Sequence, residues 1–458
     1  MTSIQIFEFD TLVPKADGAI GNTVPAKVFA WLEEQCLTPD VLAPVRMKLT
    51  SRRGRRAIQF SNYVGVLCAP CGYQIEILPK IGRNTTVEDA RKTLIQMLKC
   101  LRGFRHIKTS NADLQKEQMP LFEVFLQQFL ASAMDVVKRG VRSDYSTRQA
   151  NLSSLRGKLL IAAHLSQNVV RRDRFFTEYG EFIQDRAENR LIHAALRKAL
   201  GMCKVPGNQR LARELCFVFA DVPVCTDVAQ DLKRIRLDRD MSYYEPALAW
   251  ARLILQGDSP VTGAGKHNAP SMLFPMEAVF EAYVAKHLDA QVRQGFNLRT
   301  QTSKHHLVSH KQQGWFRLIP DLLIEQGGQT CLVLDTKWKL LDSAKGNSVE
   351  KYQLSQSDFY QLHAYAHLYL KSSGSVVLIY PWTESFTQPL PVFDFTSSKE
   401  LKLWVVPFCI KSRKLLLPET SPLGRCLYGS ETREILEREP IPGGTERVEA
   451  AQADLMAP

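Results

Sequence analysis

Three residues in the C-terminal half have types and spacing that could do chemistry together. They are Asp321, Asp335 and Lys337, in the local patterns Pro320-Asp321 and Asp335-Thr336-Lys337. Side chains two apart on a strand point the same way, so Asp335 and Lys337 share a face. The run before them, Cys331-Leu-Val-Leu334, is continuously apolar, the pattern of a strand buried on both sides. A buried carboxylate and a buried ammonium are costly unless paired or metal-bound, and that cost marks a site. Gly327-Gly328 separates Trp315–Ile324 from Thr330–Lys337, two β-rich runs around a glycine pair that signal a hairpin. A plain two-residue turn would place Asp321 and Asp335 on opposite faces. An odd loop or a bulge sets them opposite each other, with Cβ atoms about 5 Å apart, where they can share one Mg²⁺ through oxygen ligands. The chemistry that suits this trio is phosphodiester hydrolysis. The cation polarises a phosphate oxygen and acidifies a water, and Lys337 meets the charge that develops on phosphorus or helps position the water.

The elements that must position the trio flank it. A helix over Pro275–Leu288 carries Glu277 and Glu281 one turn apart. Glu281 is the preferred further ligand, because it lies in the apolar stripe Val279-Phe280-Ala282-Tyr283, where a solvated Glu is unexpected. A helix over Asp358–Leu370 offers Gln361 and Tyr365, also at i, i+4, toward the metal face or a DNA phosphate. The bland alternative makes Tyr365 and Tyr369 core aromatics and Gln361 a surface residue. A buried strand, Ser375–Tyr380, closes the series. His305, His306 and His310 lie on a basic, polar strand or loop without an evident carboxylate partner, which gives them a structural or DNA-facing role.

The composition frames this site. A chain of 458 residues predicts roughly three domains. With 45% hydrophobic and 23% charged residues it is of ordinary globular make-up, which excludes a mostly disordered chain, a collagen-like fibre and a disulfide mini-protein. No apolar run approaches the length of a membrane span and the start lacks a signal-peptide pattern, so a cytoplasmic location is expected. The ten cysteines are scattered and are expected to be free thiols. Cys68 and Cys71 have metal-ligand spacing, but no second pair completes a zinc set, so they are read as structural. The net charge of +12 suits a phosphate-rich partner, and Ser51-Arg-Arg-Gly-Arg-Arg56 concentrates four arginines at Arg52, Arg53, Arg55 and Arg56.

Along the chain the expected architecture is multidomain α/β. Residues 1–85 form a β-rich N-terminal domain and 86–260 a helical middle domain. A C-terminal α/β core occupies 270–415, and 436–458 form a disordered tail. Gln256–Pro270 is the best linker. Asp185 and Gly201 are the expected caps of a helix over 185–200. Gly-Ala-Gly-Lys266 lacks the pattern of a Walker A loop, so no nucleotide triphosphate is expected on this chain.

Pro320-Asp321…Asp335-Thr336-Lys337 resembles the PD-(D/E)xK nuclease motif, and Gln361-Leu-His-Ala-Tyr365 the QxxxY motif of some members of that superfamily. The order helix, hairpin, helix, strand over 272–382 resembles the restriction-endonuclease-like core. Asp335 stands where Glu is commoner. A closer resemblance, over about 60–382, is to the McrC family, the nuclease subunit of McrBC-type modification-dependent restriction systems. Leu155-Arg-Gly-Lys-Leu159, Phe175-Thr-Glu-Tyr-Gly-Glu-Phe, Asp185-Arg-Ala-Glu-Asn-Arg-Leu-Ile192 and Ala278–Val284 carry it together with the nuclease core; Glu76-Ile-Leu-Pro-Lys-Ile81 resembles the longer members. The resemblance implies a Mg²⁺-dependent endonuclease specific for 5-methylcytosine DNA, with a McrB-like AAA+ GTPase ring as partner. It also implies that GTP is bound by that partner rather than by this chain, and that the N-terminal part enters the ring, where the arginine-rich tip could reach its lining; the bland alternative makes that tip a solvated loop. Alternatives are a nuclease-inactive adaptor that stimulates the ring, and a stand-alone or RNA-directed nuclease on the same core.

Overall fold

A computed structural model describes residues 3–15, 21–37, 46–52, 54–81, 85–101, 119–256, 271–417 and 422–427. Arg53, nearly all of the expected linker and the expected tail lie outside them. The fold is mixed α/β. The chain divides into two compact units, one of residues 1–80 with 85–279 and one of 81–84 with 280–458. Among the described residues no helix is long and apolar enough to cross a membrane.

The first unit opens with β1 (Ser3–Phe7), β2 (Thr11–Pro14), β3 (Asn22–Val24), α1 (Ala26–Leu37), β4 (Met47–Arg52), β5 (Arg55–Phe60), β6 (Tyr63–Cys68) and β7 (Gln74–Leu78). One sheet runs β3-β2-β5-β4. Apolar side chains of these strands and of α1, among them Ile6, Leu12, Phe29, Leu32, Ile58, Ile75 and Ile77, form one buried cluster. The arginine-rich tip is the β4–β5 hairpin, as its alternation implies. Two of its arginines are engaged locally: Arg56 donates to Glu33 at 2.8 Å and Arg52 to Thr11 Oγ1 at 2.8 Å. Cys68 is buried at the end of β6 and Cys71 is exposed in the turn.

The middle stretch holds α2 (Val87–Leu98), α3 (Leu121–Arg139), β8 (Asp144–Leu152), β9 (Lys158–Leu159), α4 (Ile161–Gln167), β10 (Phe175–Ile183), α5 (Ala187–Met202), α6 (Pro206–Val218), α7 (Val228–Arg234) and α8 (Glu245–Gln256). Thr86 caps α2, accepting from the Asp89 N–H at 3.2 Å. Three strands stand among helices here: β8, β10 and β9 form an antiparallel sheet. Gly157, in the Arg-Gly-Lys stretch, enters it at positive φ, and a Cβ there would come within 2.3 Å of the Glu178 carbonyl. No larger residue fits that crossing.

The expected caps of α5 are not the observed ones. Arg186 takes the N-cap position and Cys203 the C-cap, with Gly201 inside the helix. Asp185 instead accepts from Arg190, an ion pair that competes with capping. Buried polar groups around this start tie distant segments together. Asn189 donates to the carbonyls of Arg142 and Gln184 at 2.8 and 2.9 Å and accepts from the Tyr244 hydroxyl at 2.9 Å. Arg190 spans to both oxygens of Asp231 at 3.0 and 2.6 Å. The Asn-Arg pair of the family-like stretch is thus a staple of the fold.

β11 (Ser271–Pro275) joins β1, β7 and β6 in the order β1-β7-β6-β11. α9 (Met276–Asp289) follows, and the division between units falls within it.

The second unit contains β12 (Phe296–Thr300), β13 (His305–His310), β14 (Gln313–Leu318), β15 (Leu322–Gln326), β16 (Gln329–Thr336), α10 (Gln356–Tyr369), β17 (Gly374–Pro381), β18 (Phe393–Asp394), β19 (Leu401–Cys409), β20 (Lys414–Leu415) and α11 (Pro422–Leu427). Its main sheet runs β12-β15-β16-β17-β19-β18, with β20 on β19. β16, β17 and β19 are parallel neighbours and α10 makes the crossover between β16 and β17, the connection that parallel strands require. Leu362, Tyr365, Ala366 and Tyr369 of α10 pack on Leu323, Val333, Val376, Leu378, Leu403 and Val405, each fully buried aliphatic contributing about 1.5–3 kcal/mol. The rings of α9 take the other face: Phe280 lies 5.2 Å from Trp338 and 6.3 Å from Phe408, which is out of phase with Leu403 and Val405.

The single run expected over Trp315–Ile324 is two strands. Pro320 removes a ladder donor, and the chain passes there from β14, which among the described residues pairs only with β13, to β15 in the main sheet.

Candidate active site

The β15–β16 hairpin turns through Gly327 and Gly328, with φ of +59° and +83°, a two-residue turn that only glycine enters readily. Taken alone it would put Asp321 and Asp335 on opposite faces. The ladder corrects this. Glu325 pairs with Thr330 but Ile324 pairs with Leu332, so Cys331 is an extra residue. Beyond this bulge Leu322 faces Leu334, and the next position outward sets Asp321 across from Asp335. This is the bulge that a shared site requires.

Each side chain then has a defined hold. Asp321 Oδ2 accepts from the Thr336 N–H and from Thr336 Oγ1, both at 2.7 Å. Asp335 is 1% exposed. Lys337 Nζ stands 2.7 Å from Asp335 Oδ2 as an ion pair, and the buried Oδ1 of Asp335 receives no donor. Lys337 Nζ donates to Gln361 Oε1 at 3.2 Å, Gln361 Nε2 donates to the Tyr365 hydroxyl at 2.7 Å, and that hydroxyl donates to the Ile319 carbonyl at 3.0 Å. Gln361 and Tyr365 thereby link α10 to the ammonium and to the segment just before Asp321. Tyr365 is also buried in the core, which is the bland reading of it. Burial pushes its phenol up to about 12.

The electrostatics are those of crowded acids. Burial first, then the Asp321 charge, hold the Asp335 carboxyl well above the usual carboxylate range, against the pull of Lys337. Burial raises Asp321 as well, with the Thr336 donors opposing. Burial works against the charge of Lys337, but the carboxylates around it, Asp335 foremost, outweigh that and raise its pKa.

Of the two glutamates on α9, Glu277 is exposed and Glu281 half-buried. Glu281 Oε1 accepts from Gln301 Nε2 at 3.0 Å. Burial, with the charges of Asp321 and Asp335, pushes its carboxyl up to about 7. Among the described residues, no three His, Cys, Asp or Glu side chains are grouped as a metal cage. Asp321 and Asp335 form a pair, and Glu281 feels their field without joining them in one ligand cluster. The pair suits a hard divalent cation: its donors are carboxylate oxygens, and the undonated Oδ1 of Asp335 is what a bound cation would satisfy.

Three participants were not read from the sequence. Thr336 occupies the variable position of the motif, so nothing in the pattern singled it out. Gln301 lies just past β12, remote from the motif. Asp358, one turn before Gln361, accepts from the Tyr380 hydroxyl at 3.3 Å and its charge acts on Asp335 and Lys337. Its i, i+3 spacing to Gln361 was the available signal.

The family model of the McrBC 5-methylcytosine restriction system component matches residues 58–381, more than half of the chain. The chain belongs to this family. It is similar in fold to a chain of the refined half-complex from a tetradecameric assembly of Thermococcus gammatolerans McrB AAA+ hexamers with bound McrC, with a TM-score of 0.61 and 18% identity over 89% of this chain and 95% of that one. A second similar chain comes from the cryo-EM structure of the Thermococcus gammatolerans McrBC complex, with a TM-score of 0.45 and 22% identity over 62% of this chain and 86% of that one. No curated protein matches the chain. The family match takes in Glu281, Asp321, Asp335, Lys337, Gln361 and Tyr365.

Proposed function

We propose that this chain is the DNA-cleaving subunit of a McrBC-type restriction system, a Mg²⁺-dependent endonuclease with a restriction-endonuclease-like core at 270–415. The observation that carries the reading is Asp335: buried, with one oxygen paired to Lys337 and the other undonated, and set across from Asp321 by a bulge. A stable core gains nothing from that arrangement, whereas a site for a cation and a phosphate does.

Asp321 and Asp335 would hold the cation, and Glu281 of α9 lies in the field of both. When bound, the cation supplies Lewis acidity toward a phosphate oxygen and an acidified water. Thr336 aims Asp321, and its two donors oppose the burial that raises that carboxyl. Lys337 stays charged and faces the position where negative charge grows on phosphorus, which is electrostatic stabilisation by a preorganised donor. Gln361 and Tyr365 restrict the ammonium to that position. In the net reaction the water oxygen bonds to phosphorus, one P–O ester bond breaks, and the departing oxygen takes a proton.

The partner we propose is a McrB-like AAA+ GTPase ring, which binds the GTP, and the substrate is double-stranded DNA carrying 5-methylcytosine. Support comes from the family's description and from the similar chain bound to McrB hexamers. The β4–β5 arginine hairpin at the β-rich N-terminus is the proposed ring contact.

The test is a cleavage assay of the purified chain with its ring partner, GTP and Mg²⁺, on methylated DNA, unmodified DNA and RNA. Methylated duplex should be cut, and Asp335→Ala should abolish cutting while still stimulating the partner's GTPase. Cleavage that persists in Asp335→Ala sinks the site assignment. A wild-type chain that stimulates the ring and cuts nothing is an adaptor.

A further inference from the structure

The β13–β14 hairpin is a sheet of its own. A two-stranded hairpin is marginal in water, and this one keeps apolar side chains in solvent. Trp315 is 47% exposed, Phe316 69% and Leu307 50%. From Gln301 to Pro320 there is no Asp or Glu; Lys304 pairs with Glu325 of β15 at 2.7 Å, while Lys311 and Arg317 add positive charge. Lys311, Trp315, Phe316 and Arg317 are all exposed. The backbone is held in unusual conformations to present them. The turn residues Lys311 and Gln312 have φ of +49° and +65°, and Phe316, within β14, has φ of +55°. A bulky side chain there is a genuine outlier, and such outliers persist where the surroundings impose them, often at functional sites.

The feet of the hairpin rest on the site's own helix. The Tyr369 hydroxyl lies 3.1 and 3.0 Å from the Thr302 and Leu318 carbonyls, the His305 ring meets Tyr369 edge-on at 4.6 Å, and Tyr365 bonds Ile319. α10 therefore fixes both Lys337, through Gln361, and the base of the hairpin. Anything gripped by the hairpin is placed relative to Asp321 and Asp335.

We infer that the β13–β14 hairpin is a duplex-DNA clamp: Lys311 and Arg317 meet backbone phosphates, and Trp315 and Phe316 enter the minor groove against a base step. The inference rests on the nuclease reading for its purpose, not for its chemistry. An acid-free, basic surface complements a polyanion, and exposed apolar side chains between cations are what groove-inserting proteins use to wedge base steps.

The experiment is fluorescence anisotropy of a labelled DNA duplex with the full-length chain in metal-free buffer, over a range of salt. Lys311→Ala with Arg317→Ala should weaken binding at least tenfold. It should also reduce the slope of log affinity against log salt by about 2, one for each phosphate left without its cation. Trp315→Ala with Phe316→Ala should weaken binding and leave the slope unchanged. Lys311→Arg should bind as wild type, and unchanged melting temperatures show that the variants fold. If the wild-type chain does not bind duplex, or both double variants bind with its affinity and slope, the clamp is overturned. Cleavage separates the two readings. A chain that binds through the hairpin but never cuts keeps the clamp and loses the nuclease. A chain that cuts through Asp335 with hairpin variants binding normally does the reverse.

Discussion

Thr336 grips Asp321 twice: its backbone N–H and its hydroxyl both donate to Oδ2 at 2.7 Å. The residue between the acid and the lysine of the motif thus orients the other acid, across the hairpin. A hydrogen bond to a charged group is worth about 1.5–3 kcal/mol. Thr336→Val keeps the N–H and the shape and loses the hydroxyl. If that energy is expressed in the transition state, cleavage falls about tenfold or more, with little change in melting temperature. Thr336→Ser, which keeps the hydroxyl, should restore most of the rate. Equal rates for all three would remove Thr336 from the site.

Mg²⁺ should stabilise the chain through Asp335. A ligand that binds only the native state adds about 2.7 kcal/mol when present at 100 times its Kd. Thermal melts with and without Mg²⁺ should show a rise in wild type and none in Asp335→Asn, whose amide cannot serve as an anionic ligand. An equal rise in both places the ion elsewhere.

Gln361 and Tyr365 act as one relay, so their losses should not add. Gln361→Ala leaves the Lys337 ammonium held by Asp335 without its Gln361 acceptor, and Tyr365→Phe breaks the donation to Ile319 and removes the acceptor for Gln361. Each alone should lower kcat about tenfold, and the double variant should be little worse than the poorer single, a coupling that residues in one network show. Strict multiplication of the two effects would argue that they work independently.

The Arg190–Asp231 staple sets an acid limit to stability. Hydrogen bonds from Arg190 outweigh burial and hold the Asp231 carboxyl below its ordinary value. A depressed carboxylate contributes stability above its unfolded pKa of about 4 and loses it as pH falls through the folded value. Asp231→Asn should cost about 3 kcal/mol at neutral pH, as for a broken buried pair, with the gap to wild type closing below about pH 4. Denaturant melts across pH measure it, and a constant gap at every pH would refute the charge-based account.

The sequence by itself marked the candidate site and its local frame. Asp321, Asp335 and Lys337 stand out because charges are out of place in an apolar strand, and the glycine pair marks the turn. The parity of that turn also demands a bulge if the acids are to meet. Strand and helix identities around the site follow from periodicities of two and 3.6, which are local properties of the chain. Tertiary structure alone decided the rest, because it depends on what lies across a ladder or against another element. The bulge falls at Cys331, which no residue type announced. Pro320 divides one apolar run into strands of two sheets. Asp185 pairs with Arg190 instead of capping α5, and Gln301 reaches Glu281 from twenty residues away. Side-chain partners are fixed by register and burial, which belong to the folded chain, whereas the pattern in the sequence records only which residues must be hidden and which can bend.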